Sequence, residues 1–357
     1  MALIFADGFE HYGVSLDTNQ WAVVKANMLA GAYSYIIPGQ YARIAIRETQ
    51  ARTGSRSLRM ESYEAGTKWR VAFPAKSIVG SAFGLFLVNL PVNINDFLFT
   101  FYNSGTAIVT IQISPAGALQ VRRGNYTGSV LGSTDAGVIT AAAFNHIEAK
   151  VIRDNVVGEI EIRVNGVTAL KLTDLDLGTI DIDGVGQTGV ETLTGTTMYL
   201  DDLIIWNGDG DVNNDFFGPA RVLTVFADGE GTHNDWNAVG AATPHEAIDE
   251  TTPDGDATYI AASTVGDKQS LTIPELPPEV ATVAGVFILP MTKLGSAGTG
   301  NMKVSIESDG AIAEGPDTPL TTAYTYWPVA FEKDPATGAQ FDKAALEAAE
   351  IIIEKTA

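Results

Sequence analysis

Short runs of residues that alternate between apolar and polar side chains recur along the first part of the chain, and they constrain the fold more than any other feature. A period of two is typical of β-strands that bury one face and expose the other. Helical periodicity is almost absent before residue 340. The clearest alternating runs are residues 43–48, 57–61, 69–73, 96–102, 108–113, 147–152 and 159–164.

The residues between these runs are rich in Gly, Asn, Ser and Pro, which favour turns. Asn165-Gly166 lies between two alternating runs, and such a dipeptide is the strongest short-range signal for a β-hairpin. Regularly spaced short strands and turns predict an all-β fold, an antiparallel β-sandwich or barrel.

A Gly-, Asn- and Asp-rich stretch divides the sequence. We predict a β-sandwich over residues 1–207, a linker over 208–218, and a second, smaller β-sandwich-like domain over 219–357. Residues 341–355 are predicted as a short C-terminal helix, which Asp342 can cap. The β-branched run 351–353 favours a closing strand as the alternative.

Composition excludes several classes of function. The net charge is −21, so nucleic acid phosphates and anionic membranes are not expected as partners. The absence of cysteine excludes disulfides, thiolate chemistry and cysteine-based zinc sites. No apolar run is long enough to span a membrane, and the N-terminus lacks the basic segment of a signal peptide, so we expect cytoplasmic synthesis and no membrane insertion.

Two neighbouring stretches, 144–151 and 158–166, resemble the central hairpin of laminin G-like and concanavalin A-like sandwiches. In that superfamily a W/F-x-H-I-E strand precedes a strand that ends in V-N/D-G. Residues 4–10 and 199–203 are similar to the first and last strands of the same jelly rolls. The resemblance implies a concanavalin A-like jelly roll over residues 1–207. It does not imply a single function, because the superfamily includes lectins, glycanases, adhesion modules and phage proteins.

A second stretch, 211–222, resembles an N-N-D-F-L-G-x-x-R-V junction of tailed-bacteriophage structural proteins, with Phe217 in place of the leucine. This resemblance implies a non-catalytic structural or interaction protein of the virion, in the tail, neck or capsid exterior. Its expected partners are other virion proteins and further copies of itself, as a homo-oligomer. The alternative is a carbohydrate-binding, lectin-like module that recognises host-surface glycans. A third hypothesis is an atypical glycanase.

The sequence predicts no enzyme and no catalytic residue. Retaining glycanases on this fold place two carboxylates on alternate residues of one strand. Glu159/Glu161 and Asp181/Asp183 have this spacing, but we interpret the first pair as the solvent face of a strand and the second as part of a loop or strand edge. The four histidines do not follow a nucleophile-elbow pattern.

No cofactor is expected apart from a structural calcium ion. One candidate loop places oxygen ligands on alternate residues, as calcium loops do, although it lacks the final glutamate of an EF-hand and an Asx-rich turn is the alternative. The jelly-roll resemblance implies a different site, where the first and last strands meet. The candidate ligands of the loop are Asp209, Asp211, Asn213 and Asp215. Those of the second site are Asp7, Glu10 and Asp202.

Glycan binding requires exposed aromatic rings. The five tryptophans lie in or near strands, where a role in the core is expected. Tyrosines in Gly- and Ser-rich loops are better candidates for glycan contact. These are Tyr33, Tyr35 and Tyr126.

Overall fold

The computed structural model of the protein describes residues 1–14, 18–29, 44–61, 66–94, 98–189 and 196–357. The described chain is 46% strand and 5% helix, which confirms the predicted all-β class. Two compact units are present: the first ends at Leu223, and the second contains His11–Gly13 and Thr224–Ala357. Residues 208–218, predicted as a linker, therefore lie within the first unit.

The first unit contains two antiparallel sheets. We call the six-stranded sheet, with strand order β4-β13-β6-β7-β8-β9, the front sheet. The back sheet has eight strands in the order β12-β11-β10-β5-β14-β3-β2, and β1 pairs with β14. The elements are β1 (Leu3–Asp7), α1 (Thr18–Leu29), β2 (Ile44–Arg47), β3 (Ser57–Glu61), β4 (Gly66–Lys76), β5 (Ile78–Leu87), β6 (Leu98–Asn103), β7 (Thr106–Ile113), β8 (Leu119–Arg123), β9 (Val130–Ser133), β10 (Phe144–Ile152), β11 (Gly158–Val164), β12 (Val167–Leu175), β13 (Ile182–Gly189) and β14 (Thr197–Asn207).

The core of the first unit lies between these two sheets, as in a β-sandwich. Phe83 of the back sheet packs against Phe99 of the front sheet, with ring centroids 4.7 Å apart. Trp69 lies 6.2 Å from Phe99 and is fully buried. Alternate residues of each strand supply these inward side chains, which is the pattern that the sequence predicts.

The predicted hairpin at Asn165-Gly166 is confirmed. β11 and β12 pair through this turn, with Val164 opposite Val167. Asn165 has a φ of 52° and Gly166 a φ of 80°. Positive φ at both central residues is the geometry of a type I′ turn, which Asn-Gly adopts at little cost.

The helix α1 is not predicted by the sequence. Val24 and Met28 are its buried residues among those whose burial is described. They are four positions apart, so they share one face of the helix.

The second unit contains one larger antiparallel sheet, with strand order β15-β18-β26-β21-β22 and β23 paired to β21. Three two-stranded sheets, β16-β17, β19-β25 and β20-β24, accompany it among the described residues. The elements are β15 (Glu230–Asn234), β16 (Asn237–Val239), β17 (Tyr259–Ala261), β18 (Lys268–Thr272), β19 (Val286–Ile288), β20 (Met291–Thr292), β21 (Asn301–Ser308), β22 (Ala311–Glu314), β23 (Thr318–Pro319), β24 (Thr325–Tyr326), β25 (Val329–Phe331), α2 (Lys343–Glu347) and β26 (Glu350–Lys355).

Both interpretations of the C-terminal segment are correct in part. Asp342 caps α2 by accepting the Ala345 N–H at 2.7 Å, as the sequence predicts. The helix ends at Glu347, and the β-branched run then forms β26 in the centre of the sheet. In the described part of the chain, no helix is both long and apolar enough to cross a membrane.

Candidate functional site

A single cross-strand row of the front sheet runs from one arginine to another. The register places Gly186 of β13 between Arg70 of β4 and Thr100 of β6. Thr110 of β7 then lies between Thr100 and Arg122 of β8. We call these five residues the arginine row. Four inter-strand spacings separate the two arginines, so their Cα atoms lie about 19 Å apart.

The arginine row lies on the outer face of the front sheet. Successive side chains of a strand point to opposite faces. Trp69 and Val71, on either side of Arg70, are fully buried in the sandwich core, and so is Val121 beside Arg122. The row residues occupy the alternate positions and therefore face away from the core.

Small residues form the floor of the arginine row. The hydroxyl oxygens of Thr100 and Thr110 lie 3.2 Å apart, and each residue keeps only 1% of its surface exposed. Arg70 lies across the neighbouring Gly184, where a Cβ atom would come within 3.4 Å of the arginine Cδ. The two half-buried arginines are consequently the members of the row that solvent reaches best.

The two guanidinium groups are held by neutral partners. The guanidinium carbon of Arg70 lies 5.6 Å from the ring centroid of Tyr102. Arg122 donates from Nε to Gln112 Oε1 at 2.5 Å and from Nη1 to the Gly128 carbonyl at 2.7 Å. Neither arginine forms an ion pair with a carboxylate of the described residues. Their positive charges therefore remain uncompensated by direct contact.

The turn between β8 and β9 is fixed to the arginine row and carries the exposed Tyr126. Arg122 holds the turn through its bond to the Gly128 carbonyl, and the Thr110 hydroxyl donates to the Gly124 carbonyl at 2.7 Å. Tyr126 is 37% exposed. It is the predicted glycan-contact residue that the structure describes, since Tyr33 and Tyr35 lie outside the described residues.

The strands of the front sheet contain one carboxylate, Asp183, near the start of β13. It accepts the Ser104 N–H at 2.8 Å and holds the turn between β6 and β7. Glu159 and Glu161 lie on the back sheet, where Lys171 bridges them at 3.0 and 3.2 Å. Asp183, Glu159 and Glu161, three of the four carboxylates in the pairs with glycanase spacing, thus have donors within the protein.

The outer face of the back sheet is covered by residues 215–222, which we call the strap. The rings of Phe216 and Phe217 lie 6.1 and 5.2 Å from the ring of Trp206. The backbone N–H groups of Phe217 and Gly218 donate to Glu148 Oε1 at 2.8 and 3.1 Å. Aromatic packing and hydrogen bonds to a buried carboxylate therefore fix the strap to the sheet.

Several titratable groups are buried beneath or beside the strap. Glu148 is fully buried, and this burial raises its pKa to about 7 although the two strap N–H groups oppose the shift. Burial also raises the pKa of Asp201 to about 7, aided by the charge of Asp202. His146 lies in β10; burial and then the charge of Arg52 lower its pKa to about 4.

Asp202 anchors the far end of the strap. Its Oδ2 accepts from Arg52 Nη1 at 2.5 Å and from the Thr53 hydroxyl at 3.0 Å. Its Oδ1 accepts the Val222 N–H at 2.9 Å. Asp202 has a φ of 52° and lies where the register of β14 against β5 shifts. The bulge turns the carboxylate toward the strap.

The other candidate calcium ligands near the first strand are also engaged by protein donors. Asp7 Oδ1 accepts the Phe9 N–H at 2.7 Å. Glu10 Oε1 accepts the N–H groups of Ser55 and Arg56 at 2.8 and 2.6 Å.

The Asp/Asn-rich loop has lysines at both ends. Asp209 pairs with Lys76 at 2.5 Å, and Asp215 pairs with Lys150 at 2.8 Å. Within the described ranges, no three side chains of His, Cys, Asp or Glu are grouped so as to hold a metal ion. The calcium site, at this loop or at the first and last strands, stays a prediction.

The arginine row is a feature that the sequence did not predict. Arg70 belongs to an alternating run, where it counts only as a polar residue of the outer face. The row depends on the pairing of β4 with β13 and of β7 with β8, and the first of these pairings joins distant parts of the chain. The sequence did contain one signal for the row: Arg70 and Arg122 both occupy outer-facing positions of strands in a chain with a net negative charge.

Comparison with known proteins shows similarity to solved structures alone. No family model matches the chain, and no curated protein matches its sequence. One similar structure is the cellulose induced protein Cip1, at 16% identity and a TM-score of 0.39, covering 57% of this chain and 96% of that one. An endo-1,3-beta-glucanase from Streptomyces sioyaensis is 12% identical at a TM-score of 0.34, covering 57% and 95%. The carbohydrate binding module CBM66 from Bacillus subtilis is 7% identical at a TM-score of 0.31, covering 42% and 86%.

Proposed function

We propose that the first unit is a non-catalytic carbohydrate-binding module that takes its glycan at the arginine row and Tyr126. The observation that carries this proposal is the position of an exposed aromatic residue on a turn that the row itself holds. The proposal corresponds to the alternative that the sequence left open, a lectin-like role.

The chemistry of the row suits sugar hydroxyls. Each hydroxyl is both a donor and an acceptor, and a guanidinium group presents several donors in one plane. Half-buried Gln120, two residues before Arg122 on the same face, adds an amide that can donate and accept. The ring of Tyr126 offers an apolar surface on which the C–H face of a sugar can pack. These groups together provide both kinds of contact that a sugar ring requires.

The absence of catalysis is part of the proposal. Glycoside hydrolysis by the common mechanisms requires two carboxyl groups on either side of the scissile bond. The strands of the front sheet supply Asp183, whose oxygens accept the N–H and hydroxyl of Ser104. A second carboxylate is not present in those strands. This arrangement supports binding without turnover.

The test is a glycan array with the purified full chain, followed by calorimetric titration of the best ligand against two variants. Tyr126→Ala should weaken binding about two- to tenfold, the value of one aromatic contact, whereas Tyr126→Phe should bind nearly as the parent does. Incubation with the same glycan should release no new reducing ends. Failure to bind any glycan, or equal affinity of the two variants, would overturn the proposal, and release of reducing ends would overturn its non-catalytic part.

The virion role concerns where the protein works, and it stays a prediction from the sequence resemblance. A glycan-binding sandwich on a phage exterior would serve attachment to a host surface. Mass spectrometry of purified particles, with the virion proteins separated from host contaminants by density gradient, tests this role and the proposed contacts with other virion proteins. Absence of the chain from the purified particles would contradict the virion role.

A further inference from the structure

We infer that the ligand of the arginine row is an anionic polysaccharide, one that carries carboxylate or sulfate groups along its length. This inference rests on the proposed function and names the chemical class of its glycan. The observation behind it is the pair of arginines at the two ends of the row, neither of which has a carboxylate partner.

Arg70 and Arg122 lack carboxylate partners among the described residues although the chain is rich in acidic residues. It contains 43 acidic and 22 basic residues, so a basic side chain has many potential partners. Several surface lysines of the described chain do have such partners: Lys76 pairs with Asp209, Lys293 with Asp256, and Lys303 with Glu314. Arg221, by contrast, donates to neutral oxygens, as the arginines of the row do.

The front sheet also differs from the rest of the chain in its charge. Arg70, Lys76, Arg122 and Arg123 lie in its strands beside a single acidic residue, Asp183. Lys76 and Arg123 pair with Asp209 and Asp176 of neighbouring loops, so Arg70 and Arg122 are the two of these four cations that have no carboxylate partner in the part of the chain that the structure describes.

The net negative charge of the protein does not prevent this recognition. Charges in solvent are screened over about 8 Å at physiological ionic strength, so acidic groups on distant surfaces act weakly at the row. A guanidinium in direct contact with a carboxylate or sulfate forms charge-assisted hydrogen bonds, which are about twice as strong as neutral ones. The local contact therefore outweighs the distant repulsion.

The spacing of the row favours a polymer over a small anion. The two arginines are about 19 Å apart at Cα, too far for one carboxylate or sulfate to bridge. Between them lie Gly186, Thr100 and Thr110. A polysaccharide with repeated acidic groups can meet both guanidinium groups at once, and the two contacts then reinforce each other.

The experiment compares matched acidic and neutral polysaccharides in calorimetric titrations of the full chain. The pairs are oligogalacturonate with its methyl ester, which tests carboxylate, and sulfated dextran with dextran, which tests sulfate. We expect one acidic member to bind at least about tenfold more tightly than its neutral counterpart, because charge-assisted contacts exceed neutral ones. The affinity should fall as sodium chloride rises from about 50 to about 300 mM.

Single substitutions show which side chains bind the acidic polymer. Arg70→Gln and Arg122→Gln should each weaken binding to the acidic polymer about tenfold, and Arg122→Lys should retain part of the affinity because it keeps the charge. Arg123→Gln is the matched control, since it removes the same charge from a 43%-exposed side chain that pairs with Asp176 outside the row. Its expected effect is less than about twofold.

The outcomes separate this inference from the proposed function. Equal or tighter binding of the neutral polymers, still sensitive to Tyr126→Ala, would overturn the anionic ligand and leave carbohydrate binding intact. No binding to any glycan in either experiment would overturn both the anionic ligand and the proposed carbohydrate binding. Equal loss in Arg123→Gln, or equally tight binding of single-stranded DNA, would show a nonspecific response to polyanions and overturn the inference.

Discussion

Arg52 and Asp202 form a buried ion pair, with Arg52 Nη1 2.5 Å from Asp202 Oδ2. The side chain of Asp202 is 0% exposed and that of Arg52 is 10% exposed. The same arginine donates to the carbonyl groups of Pro219 and Ala220, at 3.2 and 2.6 Å. The pair thus joins the loop before β3, the bulge of β14 and the strap.

Arg52→Met should be strongly destabilising. It leaves the Asp202 carboxylate buried without its cation, and breaking a buried pair in this way costs about 3–5 kcal/mol. Arg123→Met is the control, because its partner Asp176 lies 3.6 Å away and both side chains are exposed, so we expect a loss below about 1 kcal/mol. Hydrogen exchange of the slowest β14 amides measures both. Similar losses in the two variants would contradict the anchoring role of the pair.

Glu148→Gln should change how stability depends on pH. The pKa of Glu148 is about 7 in the folded protein and 4.5 as a model value, so the folded state holds the proton more tightly. The contribution of Glu148 to stability is then full below pH 4.5 and falls as the pH rises toward 7. The neutral amide can still accept the N–H groups of Phe217 and Gly218. We therefore expect the variant to gain on the parent between these pH values, by at most about 3 kcal/mol.

Thermal unfolding of both proteins at pH values from about 4.5 to about 8 measures this gain. Glu161→Gln serves as the control on the same face. Its donors Arg163 and Lys171 hold the pKa of Glu161 below the ordinary value although burial opposes them, so this variant should lose stability at neutral pH. Parallel curves for the parent and Glu148→Gln would show that Glu148 does not titrate in this range.

Gly80→Ala should disturb the packing of Trp206. A Cβ atom at this position would lie 2.1 Å from Cε2 of the indole, so the ring must move. Overpacking of this kind costs about 1–3 kcal/mol. Gly295→Ala is the matched control, because its Cβ would have no neighbour within 4 Å. Urea unfolding should separate the two substitutions, and equal midpoints would count against the close contact of Trp206 with β5.

Much of the sandwich could be predicted from the sequence, because its strands expose one face. Runs such as 57–61 and 159–164 alternate cleanly, and Asn165-Gly166 fixes both the turn and the register of its hairpin. α1 was not predicted, because helical periodicity is almost absent from the sequence before residue 340.

Only one residue of the candidate site could be predicted from the sequence. Tyr126 stands in a loop whose composition indicates exposure, and the structure confirms that it is exposed. The arginines of the row depend on strand pairings that no local pattern contains. The strap shows the same limit. Its residues 215–218 belong to the predicted linker, and the carboxylates that accept from its backbone N–H groups, Glu148 and Asp202, are set by tertiary packing.

Glycan binding at the arginine row is tested most directly by a hydrogen–deuterium exchange footprint of the full chain with and without a saturating glycan identified on the array. We expect slower exchange in β8 and in the turn that carries Tyr126, with Arg70 in β4 affected as well, and unchanged exchange in the strap over the back sheet. Protection confined to the strap, or to residues 224–357, would contradict binding at the arginine row.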